Sequence, residues 1–193
     1  MGKIYYIMGK SSSGKDTIYK KLMERMRGKL KTVTGYTTRP MREGETDGVE
    51  YFFVTREKYR EMKSQGIVIE SRDYNTVYGV WTYFTADDGQ IELEKSDYLL
   101  IGTLESYKGL RDYYGKEKII PLYIEADDGD RLLRAIKREK KQEAPGYEEM
   151  CRRFLADQQD FCEERLTECG IIRRYKNIDL EKCIEEICSD IYG

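Results

Sequence analysis

The sequence predicts an α/β fold, a parallel sheet covered by helices on both faces with a small mixed-β lobe inserted into it. Short β-prone runs at Ile4–Met8, Tyr98–Thr103, Ile119–Glu125 and Ile171–Tyr175 alternate with helical patterns, as crossover connections between parallel strands require. Runs at Lys31–Thr34, Glu50–Val54 and Ile67–Ser71 cluster without long helices between them, which marks the inserted lobe. At 193 residues the chain suits one domain with room for a real core.

In chain order, Ile4–Met8 runs straight into "GKSSSGKDT". Gly9, Lys10, Ser11, Ser12, Ser13, Gly14 and Lys15 give G-x-x-x-x-G-K, seven positions of a phosphate-binding loop. Ile18, Leu22 and Met26 recur behind it at helical spacing over Asp16–Arg27. Strand, tight loop and helix N-terminus aim backbone N–H groups and the positive helix end at an anion. The usual next residue is Ser or Thr, whose hydroxyl ligates Mg²⁺. Here Asp16 stands there and Thr17 follows. Two readings of Asp16 stay open. Its carboxylate can hold Mg²⁺ directly or through water, or it is an acid favoured by the helix dipole, with Thr17 or water serving the metal.

Further helices are expected at Arg56–Ser64, Ser106–Tyr113, Asp130–Lys141, Tyr147–Glu168 and Leu180–Tyr192. The stretch "KREKKQEAPG" reads as a charged, Pro/Gly-interrupted link between two helices, either a solvated hairpin or a cationic lid. The 34 basic and 36 acidic residues nearly cancel, which argues against a general nucleic-acid surface. No run reaches membrane-spanning length and a strand begins at once, so a cytoplasmic protein is expected. With no histidine, imidazole bases, Ser-His and Cys-His pairs and His metal sites are excluded. The five cysteines form no C-x-x-C pair. Cys162 and Cys169, seven apart, read as buried positions of one helix with reduced thiols.

A second dense motif is "YTTRPMREGETDGVEYFFV" at 36–54. Arg39 and Arg42 are guanidinium forks three residues apart that can reach one anion, Glu45 can pair with them, and Tyr51 adds a hydroxyl. Beside a phosphate loop, this marks the second anion site that two-substrate phosphoryl transfer needs.

With both motifs in place the chain resembles the guanylate kinase family over essentially its whole length. The pattern T-T-R-x-x-R-x-G-E-x-x-G-x-x-Y-x-F stands here as Thr37-Thr38-Arg39, Arg42, Gly44-Glu45, Gly48, Tyr51 and Phe53. The resemblance implies a P-loop NTPase fold with a parallel five-stranded core sheet (core 1–34, 97–125 and 156–193). It also implies a mixed-β lobe binding a nucleoside monophosphate (35–96) and a helical lid (126–155). It implies ATP-dependent phosphorylation of GMP or dGMP by direct in-line transfer from Mg·ATP, by a monomer or homodimer without nucleic-acid or membrane partners. The ATP side would comprise Gly9 through Thr17 and Asn177, and the GMP side Arg39, Arg42, Glu45, Tyr51, Glu70 and Tyr78. The catalytic cations would be Lys15, Arg39, Arg134, Arg138 and Arg153, the last three on the lid. Glu70 in "GIVIES" would read the guanine edge.

Four positions depart from that pattern. Gly35 replaces a base-contacting serine, Val80 replaces a hydroxyl residue after Tyr78-Gly79, Gly102-Thr103-Leu104 replaces a paired-acid segment, and Asp16 follows the loop lysine. Ribose bisphosphate phosphokinases share three of these traits, which makes ribose 1,5-bisphosphate the alternative acceptor. A phosphopeptide-binding module of guanylate-kinase type is a further alternative, although such modules typically lose the phosphate loop that this chain keeps.

Overall fold

The computed structural model describes residues 2–76 and 79–192. Tyr78 lies outside them. In chain order the elements are β1 (Ile4–Met8), α1 (Lys15–Arg25), β2 (Leu30–Lys31), β3 (Tyr36–Thr37), β4 (Phe52–Phe53), α2 (Arg56–Ser64), β5 (Val68–Thr76) and β6 (Gly79–Ala86). There follow β7 (Asp97–Ile101), α3 (Leu104–Tyr114), β8 (Ile119–Glu125), α4 (Asp128–Glu139), α5 (Tyr147–Asp160), α6 (Glu163–Glu168), β9 (Arg174–Lys176) and α7 (Leu180–Tyr192). No helix of the described residues is long and apolar enough to cross a membrane.

The first sheet has the order β2-β7-β1-β8-β9 and every pairing in it is parallel. All five residues of β1 are buried, as a central strand covered on both faces must be. Its side chains alternate between two cores. Tyr5 and Ile7 join Ile18 and Leu22 of α1 and Ile184 and Ile187 of α7. Ile4, Tyr6 and Met8 join Tyr107 and Leu110 of α3 and Leu166 of α6. The chain moves outward from β1, returns through β7 and crosses to β8. This switch point at the carboxyl end of β1 is where ligands bind in open α/β sheets.

The second sheet, β4-β3-β6-β5, is mixed: β3 and β4 are parallel, whereas β6 runs antiparallel to β3 and to β5. Helix α2 lays Met62 onto Phe84 and Ala86. Its start is capped by Thr55, whose hydroxyl accepts the Lys58 N–H at 3.1 Å.

Strand β6 and the short β3 are absent from the sequence expectation. Gly79–Ala86 is rich in β-branched and aromatic residues, so its strand signal was present in local composition. Tyr36–Thr37 is too short for a periodic signal and is a strand only because β4 and β6 flank it. The expected single helix Tyr147–Glu168 breaks at Phe161, which turns inward and stacks on Tyr123 at 5.7 Å between ring centroids. Cys162 is therefore a half-buried N-cap, and Cys169 is the buried one of the pair. Helix α4 begins two residues earlier than expected, because Asp127 caps it by accepting the Gly129 and Asp130 N–H groups.

Leu22 is fully buried where α1 meets the sheet. Leu22→Ala should therefore cost about 3 kcal/mol of unfolding free energy, from lost transfer energy plus a residual cavity. Urea denaturation midpoints at equal slope would measure it. A loss under 1 kcal/mol would mean that α1 does not pack as described.

Candidate active site

The loop between β1 and α1 is shaped by close approach. A Cβ on Gly9 would lie 2.4 Å from the Ile124 carbonyl oxygen, and one on Gly14 would lie 2.2 Å from Asn177 Nδ2. Gly14 is left-handed at φ 94°, and Ser12 adopts φ 61° despite its side chain. Such alternation turns successive N–H groups into a concave anion nest at the α1 N-terminus. The Ser12 and Ser13 hydroxyls are buried there without a hydrogen-bond partner. Buried donors left open at the cradle suit a ligand rich in acceptor oxygens. Lys15 opens α1, its ammonium 3.5 Å from the Asp16 carboxylate, which is 78% exposed. Thr17 follows in the same exposed turn.

The loop is gripped from outside. Asn177 is buried and donates to the Ser13 carbonyl at 2.7 Å. Arg131 of α4, only 1% exposed, donates Nε to the Ser11 carbonyl at 2.9 Å and Nη2 to Asp157 of α5 at 2.8 Å. Asp157 also accepts the Ser11 N–H at 2.7 Å, and the Arg131 guanidinium lies 5.0 Å from the Phe154 ring centroid. Lys10 points away from the nest, donating to Gln158 at 2.5 Å. Arg134 makes long contacts of 3.4–3.5 Å to the Ser12 and Ser13 carbonyls, and Arg138 and Arg153 line a narrow crevice with Ser11 and Ser12. The structure thus brings the three expected lid arginines to the loop. It uses Asn177 as a clamp on the loop backbone.

A larger open cleft of about 370 Å³ borders the loop at Lys10, between the end of β8 and α6. Two of its acids, Glu125 and Glu163, are already ion-paired to Arg174.

Just beyond β3, Arg39 is 4% exposed and its fork is already filled. Nη1 and Nη2 donate to the two Glu45 oxygens at 2.7 and 2.5 Å, and Nη1 also donates to the Pro40 carbonyl. A buried guanidinium needs such a partner, since one left unpaired would be very costly. The Arg42 backbone N–H donates to Glu45 at 2.8 Å, while its exposed side chain has no hydrogen bond or ion pair among the described residues. Glu45 thus pairs with the Arg39 side chain alone, as a closed hook, and leaves Arg42 as an open fork. Bonding to Arg39 holds the Glu45 carboxyl down at about 2. Tyr51 packs beside Arg39, and burial pushes its phenol above the usual value, so it remains a neutral donor.

Glu70 is 6% exposed at the side chain. Its Oε1 accepts the Thr85 hydroxyl at 2.7 Å, and its Oε2 faces Arg72 Nε at 3.3 Å. Arg72 Nη1 donates to Thr103 Oγ1 at 2.8 Å, and that oxygen also caps α3 by accepting the Ser106 N–H. Burial works against the Arg72 charge, but Glu70 and its other acidic and phenolic neighbours overcome this and the group stays protonated. Arg72, Arg131 and Asp157 were not among the expected site residues. Arg72 had a signal, standing two residues from Glu70 and so on the same strand face. Arg131 and Asp157 had none, because they meet only when α4 packs on α5 through the turn at 140–146.

A phosphate nest at the switch point of a parallel sheet, with a second mixed sheet beside it, defines a P-loop NTPase. A family model described as guanylate kinase matches residues 1–164. The chain belongs to the guanylate kinase family. It is 40% identical over 79 residues to the guanylate kinase of Legionella pneumophila (strain Lens), a stretch covering 40% of this chain and 37% of that protein. It is 28% identical over 192 residues to the guanylate kinase of Wolbachia pipientis wMel, covering 97% of this chain and 88% of that one. The crystal structure of guanylate kinase from Anaplasma phagocytophilum shares the fold, with a TM-score of 0.64 at 18% identity, over 99% of this chain and 85% of that one.

The Arg39–Glu45 hook sets a pH dependence. The Glu45 pKa is depressed on folding, so its contribution to stability is complete above its ordinary value of 4.5 and is lost as pH falls towards about 2. The Tm gap between wild type and Glu45→Gln should be constant above pH 5 and shrink below about 4.5. A gap independent of pH down to 2.5 would mean that the ion pair is not formed.

Proposed function

We propose that this protein transfers the γ-phosphoryl group of ATP to GMP, and to dGMP, by direct in-line displacement. The observation that carries the reading is the pairing of an open phosphate nest, Ser12 and Ser13 hydroxyls included, with the Arg39–Glu45 hook that presents Arg42. Phosphoryl transfer asks for positioning and charge neutralisation more than for a proton-transfer residue. In this reading the nest and Lys15 hold the ATP phosphates, and Arg42 and Tyr51 hold the acceptor phosphate. Arg39 and Glu45 position both. Arg134, Arg138 and Arg153 neutralise the transferring group, and the helices that carry them exclude water. Tyr78, outside the described residues, belongs to the acceptor side in the same reading. The residues 35–96 then form the acceptor lobe, 126–155 the lid, and the remainder the core.

The exposed Asp16 carboxylate and the Thr17 hydroxyl are hard oxygen donors beside the nest, which suits magnesium. When bound, that ion supplies charge neutralisation between the phosphates. Ribose 1,5-bisphosphate is less well supported as acceptor, because Glu70 is a buried carboxylate suited to a base edge that carries N–H donors.

Lys15→Ala should lower kcat by at least about a hundredfold, the scale of losing one charge-stabilising contact. Arg42→Ala should raise the KM for GMP by roughly 10- to 100-fold and leave that for ATP unchanged, because one charge-assisted fork is lost. ADP release from Mg·ATP with GMP as acceptor measures both. An unchanged GMP KM in Arg42→Ala would displace the acceptor phosphate from this site.

A further inference from the structure

The β5 face that carries Glu70 also carries Arg72, and the two form an ion pair whose facing atoms make no hydrogen bond. Glu70 Oε2 and Arg72 Nε are both buried without a hydrogen bond, although they lie 3.3 Å apart. The partners that could have consumed them are otherwise engaged. Thr85 takes Glu70 Oε1, and Thr103 takes Arg72 Nη1. The segment 102–104, which meets Arg72 from the end of β7, contributes no carboxylate. The two groups are held rigidly from behind. A Cβ on Gly109 of α3 would lie 2.5 Å from the Glu70 Cβ, and Thr103 is fixed as the α3 N-cap.

We propose that Arg72 is the specificity-determining residue for the acceptor base, and that Glu70 and Arg72 together read the N–H and C=O edge of a 6-oxopurine. The inference rests on the reading of this lobe as the acceptor-nucleotide site. On such a base, N1–H lies next to O6. Glu70 Oε2, which makes no hydrogen bond, accepts the first once the base inserts beside the ion pair, and the Arg72 guanidinium donates to the second, as arginine does to guanine O6 elsewhere. Adenine presents the opposite polarity, with a lone pair at N1 and an amino group at C6. It would place acceptor against acceptor and donor against donor. The 2-amino group of guanine finds no second carboxylate, because residues 102–104 supply no acid, and Glu70 Oε1 already accepts the Thr85 hydroxyl. Selectivity therefore lies at position 6 and hardly at position 2, and IMP should be handled nearly as well as GMP.

Calorimetric binding of GMP, IMP and AMP to wild type, Arg72→Ala and Arg72→Lys tests this, with ADP release measured in parallel. Wild type should bind GMP and IMP within about tenfold of each other and AMP roughly 10- to 100-fold more weakly, the range for one well-read base edge. Arg72→Ala should weaken GMP and IMP by that same factor, leaving AMP and ATP affinity unchanged. If Arg72→Ala loses ATP binding as well, its fold has failed and Arg72→Lys decides. That variant should bind ATP normally and lose most of the preference for 6-oxopurines over AMP. Retention of the GMP-to-AMP ratio in the variant that binds ATP overturns the proposal, as does rejection of IMP by wild type more than a hundredfold relative to GMP. Arg72-dependent GMP binding without ADP release upholds the base assignment while the phosphotransfer reading fails. Wild type that binds neither GMP nor IMP overturns the base assignment.

Discussion

The turn at Gly9, where the chain leaves β1 against the Ile124 carbonyl, is the constraint on which the rest of the site depends. Strand β1 is hemmed by β7 and β8 and covered by helices on both faces, so its last residue cannot shift sideways. The loop must begin within van der Waals reach of β8, and a side chain at position 9 would push it off. Everything after that turn inherits its position: the left-handed Ser12 and Gly14, the N–H groups of the nest, and the first turn of α1. The loop's outward carbonyls are then met by Asn177 and Arg131, which come from opposite ends of the chain's second half. A loop held this way from outside keeps its inward donors pointing at the ligand with little reorganisation left to make.

Two buried arginines and one half-buried one divide the work differently from the exposed ones. Arg131, Arg39 and Arg72 each sit against a carboxylate, because a guanidinium in a poorly hydrated place is tolerated only when paired. Arg131 and Arg39 have their forks filled and serve as struts, one for the phosphate loop and one for the segment 39–45. Arg72 is only partly consumed, and its neighbour Glu70 likewise. Arg42 is exposed and open, so it is a charge free to meet an anion. The distinction between strut and ligand group is thus a matter of which hydrogen bonds remain to be made.

Strand β5 connects these regions. It pairs with β6 in the second sheet, yet its Glu70 and Arg72 face the α3 N-terminus at the carboxyl end of the core strand β7. Thr103 is the joint, capping a core helix with the same oxygen that holds Arg72. The floor of the second sheet is in this way tied to the phosphate-binding core.

Much of this was determined by the sequence alone. The continuous apolar run Ile4–Met8 and the G-x-x-x-x-G-K spacing place a phosphate nest at the end of a central strand, because a strand buried on both faces must be apolar throughout. The T-T-R-x-x-R-x-G-E run brought Arg39 and Glu45 close because they are six residues apart in one irregular segment. Tertiary structure alone decided which arginine of that run stays open, since only burial commits Arg39 to Glu45. It likewise decided that Arg131 of α4 meets Asp157 of α5 when the two helices pack, and that Arg72 meets Thr103 some thirty residues away. Spacing along the chain carries local geometry. Which charged groups are consumed and which remain free is settled by desolvation and long-range packing, and these exist only once the chain has closed on itself.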